Sequence, residues 1–291
     1  MCDVSDVPGH LILIWDYDAA IGQVNASYPY NFHETVLEEE IQNVDRILTW
    51  GEECELRMTF ACVGFAAEPG HYPYHVPEQI RKIHAAGHEI ASHSWKHEWF
   101  PFLEREQIRR SLARSKLALE QCLGEPGAVR GFVPPFSRPM SWYGKGAWSL
   151  GDRVCGPWYP GASLGSLLPL VEETGYQWCR VRHRPVWNVL ADRRGSKTPR
   201  LGRWERAGGV ICVPQHHTGF DEEAADLVER AVEQEAAVVL TGHPSGLSRR
   251  GKENLEELRR FWGRIAGYRE RGLLQVVTAS DYIRAVTHQS N

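Results

Sequence analysis

The sequence lacks long hydrophobic runs, long blocks of one charge and internal repeats. Its first apolar run, Leu11 to Trp15, is too short for a membrane span or a signal core, and acids precede it where a secretion signal carries Lys or Arg. We therefore expect a cytoplasmic chain with no transmembrane segment. The net charge of −4 contains no basic block, which gives no electrostatic reason to expect a nucleic-acid partner.

Paired cysteine motifs are also missing. The seven cysteines are scattered without a CxxC pair, and Cys62, Cys179 and Cys212 lie in apolar, strand-like stretches where Cys acts as a small buried hydrophobe. This usage predicts reduced thiols. A chain with 42% hydrophobic and 24% charged residues is typical of globular proteins, and 291 residues is an ordinary length for a single α/β barrel.

Apolar runs alternate with amphipathic ones along the chain. The predicted strands are 11–18, 56–64, 88–94, 129–135, 210–217, 237–246 and 273–280, and the predicted helices are 34–50, 77–87, 104–123, 221–235 and 253–271. Strand–helix alternation predicts a parallel sheet with right-handed crossovers. We therefore expect one α/β domain over residues 1–291.

Residues 137–207 interrupt this alternation. They are rich in Trp, Gly, Pro and Arg and only weakly periodic, which predicts long loops over the active-site face. The segment contains six of the eleven tryptophans: Trp142, Trp148, Trp158, Trp178, Trp187 and Trp204. Such rings can stack on sugars or anchor loops in a core, and the sequence leaves both alternatives open.

Polar residues follow several predicted strands. Asp16 and Asp18 end the first strand, His93 and His97 follow the third, and His243 follows the 237–246 run. Because reactive groups gather at the carboxyl ends of parallel strands, we expect these side chains to lie close together. A carboxylate with two imidazoles suits a divalent metal with open positions. The alternative for the two aspartates is a pair of loop caps.

The HxxxH spacing alone does not identify a site. Three such pairs occur, at His71/His75, His84/His88 and His93/His97. The first pair is interrupted by a proline, and the second spans a helix end, where histidine is favoured by the helix dipole. The third pair alone begins at the end of an apolar strand, so only this pair is a candidate for metal ligation.

Four segments together resemble the motifs of the polysaccharide deacetylase family, the NodB-homology or carbohydrate esterase family 4 group. GHEIASHSWKH at 87–97 resembles the second motif, IWDYDAA at 14–20 the first, FVPPF at 132–136 the third and VVLTGHP at 238–244 the last. The resemblance implies a distorted (β/α)7 barrel of the NodB type. It also implies a metal-dependent N-deacetylase, which is a hydrolase of carbon–nitrogen bonds other than peptide bonds.

The resemblance also implies roles for individual residues. Asp18, His93 and His97 would bind the metal, with zinc the first choice and cobalt, nickel or iron also compatible. Asp16 would be the general base, and His243 the general acid. The Phe136 backbone N–H would stabilise the oxyanion. Outside the family motifs, the position of Trp142 after the third motif and of His216 and His217 at another strand end makes them candidates for contact with substrate. For His216 and His217 the alternative is a pair of hydrogen-bonded loop histidines.

Two positions depart from the family pattern. Val133 stands where the third motif has an arginine that orients the base, with Arg130 and Arg138 as candidate replacements, and residues 176–183 offer no match for the aspartate of the fourth motif. We expect a small cytosolic amino sugar or glycosylated natural product, bearing an acetamido group, as substrate. The alternatives are a hydrolase of ureides or cyclic amides and a catalytically silent carbohydrate-binding protein. The sequence does not indicate an oligomeric state.

Overall fold

The computed structural model describes residues 9–26, 33–100, 103–136, 148–150, 158–160, 164–181, 201 and 204–288. Its strands are β1 (Gly9–Tyr17), β2 (Thr59–Cys62), β3 (Glu89–Ser92), β4 (Gly131–Phe132), β5 (Trp148–Leu150), β6 (Trp158–Pro160), β7 (Trp178–Val181), β8 (Glu205–Ala207), β9 (Val210–Pro214), β10 (His217–Thr218), β11 (Ala237–Gly242) and β12 (Leu274–Val277). The helices are α1 (Ala19–Asn25), α2 (Glu34–Glu53), α3 (Pro77–Ala85), α4 (Arg105–Leu123), α5 (Leu164–Glu173), α6 (Glu222–Glu233), α7 (Leu255–Glu270) and α8 (Ala279–His288), with short 3-10 helices at Gly64–Ala67 and Pro244–Ser248. No helix in these ranges is long and apolar enough to cross a membrane.

The main sheet closes on itself through the segment from β9 to β10. The strand order is β10-β11-β1-β2-β3-β4-β7-β9-β8, and β12 also pairs with β1. Gln215 N–H donates to the Val181 carbonyl of β7 at 2.8 Å, and the next residue, His216, donates to the Val239 carbonyl of β11 at 3.0 Å. One continuous segment therefore bridges the two ends of the sheet. This closure confirms the predicted distorted (β/α) barrel.

Alternation along β1 separates two cores. Leu11, Leu13 and Trp15 belong to the outer core under the helices, whereas Ile12 and Ile14 belong to the barrel interior. A strand that is buried on both faces requires the continuous apolar run LILIW rather than an alternating one. The same alternation places Asp16, two residues after Ile14, on the interior face at the carboxyl end of the strand.

The lower half of the barrel is filled and sealed. Trp178 lies in the interior cluster, and Gly131 on the neighbouring strand makes room for it, since a Cβ there would lie 1.9 Å from the indole. At the amino-terminal end of β3, Glu89 accepts hydrogen bonds from Thr59 Oγ1 at 2.8 Å and from the Ser280 N–H of α8 at 3.1 Å. Because the interior is closed at this end, the polar groups are left at the opposite mouth.

Part of the segment expected to form loops is regular. Within 137–207, α5 spans Leu164–Glu173 and β7 is a central barrel strand, so the loop prediction is wrong for these residues. Trp178 and Trp204 pack on the barrel interior, as the core-anchor alternative requires. α8 was also not predicted, because the apolar run at 273–280 extends from β12 directly into its first turn.

Candidate metal centre and active site

The ends of β1 and β3 bring three ligand atoms together. Asp18 Oδ1 lies 3.3 Å from His93 Nε2 and 3.4 Å from His97 Nε2, and all three residues are buried. The local sequence permits this approach, since a Cβ at Gly22 of α1 would lie 2.8 Å from Asp18 Cβ and 3.3 Å from His97 Cβ. Within the described ranges, these are the residues whose side chains could hold a metal ion.

These residues fit a divalent ion. Asp18 Oδ1 is buried and has no hydrogen-bond partner in the described part of the chain. Its distances to the two imidazoles match the edge of roughly 3.4 Å that a tetrahedral site has when its bonds are about 2.1 Å long. The remaining ring nitrogen of His93, Nδ1, lies 2.7 Å from the Val133 carbonyl oxygen, which selects the tautomer with an Nε2 lone pair. Burial would raise the pKa of Asp18, but His97 and His93 outweigh it and hold the pKa below its ordinary value.

Arg180 of β7 binds Asp16 through both carboxylate oxygens. Arg180 Nη1 lies 2.6 Å from Asp16 Oδ1, and Nη2 lies 2.6 Å from Oδ2. Nη1 also donates to Thr241 Oγ1 of β11 at 3.1 Å. Burial would raise the pKa of Asp16, but the Arg180 guanidinium outweighs it and lowers the pKa. The Asp16 carboxylate is thereby ionised and fixed in orientation.

Arg180 is not among the residues predicted from the sequence. Of the two predicted replacements for the third-motif arginine, Arg130 lies at the opposite, amino-terminal end of β4, where its carbonyl accepts from the Gln177 N–H, and Arg138 lies outside the described residues. The available signal was the alternation in β7, which places Arg180 on the same face as the interior Trp178. Arg180 could have been found only by first identifying WCRV as a barrel strand.

His243 follows β11 and is held by Glu253. Glu253 Oε2 lies 2.7 Å from His243 Nδ1 and also accepts the His243 backbone N–H at 2.8 Å. The other ring nitrogen, Nε2, lies 3.7 Å from Asp16 Oδ2. Burial would lower the pKa of His243, but the charges of Glu253, Asp16 and Asp18 raise it to about 10. The ring is therefore an imidazolium that presents an N–H beside Asp16.

Strained backbone is concentrated at this mouth. Four of the six non-glycine residues with positive φ in the described ranges lie here: Ala19 (51°), Ser94 (67°), His97 (58°) and Phe136 (64°). Such conformations cost free energy and persist where the surroundings fix them, most often at functional sites. The Phe136 ring packs against His97 with ring centroids 4.5 Å apart and stacks on Trp99 at 4.7 Å.

The two histidines predicted to contact substrate bond to other partners within the described part of the chain. His217 pairs with Leu240 of the outer core, and its ring lies 2.8 Å from Asp221 Oδ1. His216 Nδ1 accepts the Val239 N–H at 2.9 Å. Trp142 lies outside the described residues. Trp148 pairs with Pro160 and Trp158 with Leu150 in the two-stranded β5–β6 sheet, and both tryptophan side chains lie outside the described part.

Three of the four remaining histidines of the HxxxH pairs have other side-chain partners. His75 Nδ1 lies 3.0 Å from the Glu68 carbonyl oxygen, and His84 Nε2 lies 3.3 Å from Glu125 Oε2. His88 Nδ1 accepts the Met58 N–H at 3.2 Å. These contacts agree with the selection of His93 and His97 as the candidate pair.

Comparisons with known proteins agree with the fold. The family model for polysaccharide deacetylase matches residues 39–151. A Mycobacterium smegmatis structure assigned as a polysaccharide deacetylase is 18% identical with a TM-score of 0.66, covering 100% of this chain and 94% of its own. The Puue allantoinase is 17% identical with a TM-score of 0.62, and the match covers 96% of this chain and 90% of the allantoinase chain. A Pseudomonas aeruginosa PAO1 structure, also assigned as a polysaccharide deacetylase, is 16% identical with a TM-score of 0.61, and the match covers 97% of this chain and 91% of the other.

No curated protein sequence matches the chain. These three structures are each below 25% identity, so they establish the barrel fold and not the substrate. The family model covers the segment that carries His93 and His97. Together, the family match and the shared barrel confirm the resemblance of this chain to the polysaccharide deacetylase family.

Proposed function

We propose that this protein is a metal-dependent N-deacetylase that hydrolyses the acetamido group of a small amino-sugar substrate. The main support is the arrangement at one barrel mouth: a ligand group of Asp18, His93 and His97 beside the Arg180-bound Asp16. The imidazolium of His243 completes this arrangement. Amide hydrolysis needs an activated water, a base and an acid, and the three groups match these needs.

Asp18, His93 and His97 would hold the ion, which supplies Lewis acidity and lowers the pKa of water, with zinc the first choice. Asp16 is assigned the base and not a ligand because both of its oxygens bind Arg180. Asp16 Oδ2 also lies 4.0 Å from His93 Nε2, whereas Asp18 Oδ1 lies 3.3 Å from the same nitrogen.

The proposed reaction begins when water attacks the carbonyl carbon and Asp16 accepts its proton. The Phe136 backbone N–H donates to the developing oxyanion, in the way that aligned donors assist other acyl transfers. His243 Nε2 then donates its proton to the leaving nitrogen as the carbon–nitrogen bond breaks. The products are acetate and a free amine. Glu253 keeps His243 protonated until this step.

A second candidate is hydrolysis of a non-sugar amide such as a ureide. The observation that favours it is the fold likeness to the Puue allantoinase, whose TM-score of 0.62 is close to the 0.66 of the Mycobacterium smegmatis structure. A catalytically silent carbohydrate-binding protein is disfavoured, since Arg180 and Glu253 occupy the two roles that the sequence had left without a residue.

The test is a metal analysis followed by a substrate screen. Purified protein is stripped with chelator, reloaded with zinc, cobalt, nickel or iron, and assayed for acetate release from N-acetylhexosamine derivatives and for allantoin hydrolysis. We expect one ion per chain and metal-dependent acetate release. Allantoin turnover without acetate release would favour the second candidate. Full occupancy with no turnover of either class would favour the silent protein.

A further inference from the structure

Gln215 follows β9 at the carboxyl-terminal mouth of the barrel, the same mouth that carries the proposed catalytic groups. Val213 of β9 is in the interior cluster and pairs with Arg180, and Gln215 follows two residues later on the same face. Its Nε2 donates to Thr218 Oγ1 at 2.6 Å. Thr218 pairs with Thr241, which accepts from Arg180. Side-chain hydrogen bonds and strand pairing thus connect Gln215 to Arg180, the residue that binds Asp16.

In the side-chain amide of Gln215, the Nε2 group has a hydrogen-bond partner and Oε1 has none within the described residues. The hydrogen bond to Thr218 fixes the rotation of the side chain. Its Oε1 is buried and has no hydrogen-bond partner within the described part of the chain. Buried carbonyl oxygens in proteins nearly always have a donor, so an acceptor held in this way at a substrate mouth indicates a donor that the substrate brings.

We propose that Gln215 is a substrate-binding residue whose Oε1 accepts a hydrogen bond from a donor next to the scissile bond. The donor is either the acetamide N–H or a neighbouring hydroxyl. This inference rests on the proposed function and assigns a specificity element to the same site. A site that hydrogen-bonds a substrate donor discriminates against analogues that lack it, because its buried acceptor is then left unpaired. With the amide N–H as donor, Gln215 favours acetamides over acetate esters; with a hydroxyl as donor, it favours substrates that carry that hydroxyl.

The test compares two compounds that differ only at the scissile bond. 4-Nitroacetanilide carries an N–H where 4-nitrophenyl acetate carries an ester oxygen. For Gln215→Met in the zinc-loaded full chain, we expect the anilide-to-ester ratio of kcat/KM to fall by roughly tenfold, as for loss of one hydrogen bond. Gln177→Met is the matched control, since Gln177 is exposed at the other end of the barrel, and its ratio should equal that of the wild type.

N,N′-Diacetylchitobiose distinguishes the two donors. A loss on both the anilide and the disaccharide relative to the ester assigns the donor to the amide N–H. A loss on the disaccharide alone assigns it to a sugar hydroxyl. An unchanged ratio for all three compounds overturns the proposal, since a merely structural role scales every substrate equally.

A binding measurement separates this proposal from the proposed function. Acetohydroxamate carries an N–H and a hydroxyl, whereas acetate carries neither, and both are titrated calorimetrically into the zinc-loaded wild type and Gln215→Met. Weaker binding of acetohydroxamate by roughly tenfold relative to acetate supports the role of Gln215 even if no compound is turned over. An unchanged affinity ratio overturns it, whether or not the protein is a deacetylase.

Discussion

Glu253→Gln should move the alkaline limb of the pH–rate profile. The variant keeps an oxygen for the two hydrogen bonds that Glu253 Oε2 accepts from His243, and it removes the negative charge 2.7 Å from Nδ1. In a water-like dielectric that charge is worth about 1.5 kcal/mol, or about one pKa unit, and more in a lower dielectric. Because Glu253 is the largest of the charges that raise the pKa of His243 to about 10, this pKa should fall by at least about one unit.

The sign of the effect follows from the acid role. The protonated form of His243 exists below its pKa, so kcat/KM falls as the pH rises through that value, and a lower pKa moves the fall to lower pH. The assay is the pH dependence of kcat/KM for acetate release by the zinc-loaded enzyme. Glu256→Gln is the control, since Glu256 is exposed on α7 and pairs with Arg260. An unmoved alkaline limb with a uniformly lower rate would refute the argument that Glu253 sets the protonation of His243.

Four further outcomes follow from the same geometry. Arg180→Lys, which cannot bind both oxygens of Asp16, should lower kcat about 10–100-fold in steady-state assays with zinc content unchanged. Asp16→Asn should abolish turnover with near-normal metal content by elemental analysis, whereas His93→Ala should lose metal and activity together. His243→Ala should lose roughly 10²–10⁴-fold on an N-acetyl sugar and much less on an activated aryl acetate, whose leaving group needs no proton. Gly131→Ala forces a methyl group against the interior indole and should destabilise the fold by about 1–3 kcal/mol in denaturant titrations.

The site residues that the sequence predicts are those with a recognisable local pattern. Asp16 lies at the end of β1, which is buried on both faces, and His93 directly follows β3, which is also apolar. The apolar pattern alone therefore places both residues at the carboxyl end of a strand. The barrel class follows from the same alternation. The strand ends were less predictable: β4 spans only Gly131–Phe132, because two prolines follow Val133 and proline has no N–H for the ladder.

The residues that the sequence did not predict contact partners that are distant along the chain or lie on another element. Arg180 is 164 positions from Asp16, and Glu253 reaches His243 from a loop ten residues later. Neither segment has a pattern that indicates its partner, because the contact depends on how the barrel closes. Gln215 was not predicted, because an amide at a strand end is a weaker indication of a functional site than the imidazole of His216 beside it. The bridge from β7 to β11 places the Gln215 side chain inside and pairs His216 with backbone.

The two departures from the family pattern are understandable as one rearrangement of charge around the proposed catalytic groups. Val133 lies in the apolar interior cluster, and its carbonyl still orients His93, so position 133 keeps a backbone role without an arginine. The guanidinium reaches Asp16 instead from β7, the strand next to β4. An arginine at both positions would put two cations beside one carboxylate, which like-charge repulsion and burial both disfavour. The presence of Arg180 therefore makes an apolar residue at 133 the expected neighbour, and the missing arginine of the third motif is not evidence that the base is unsupported.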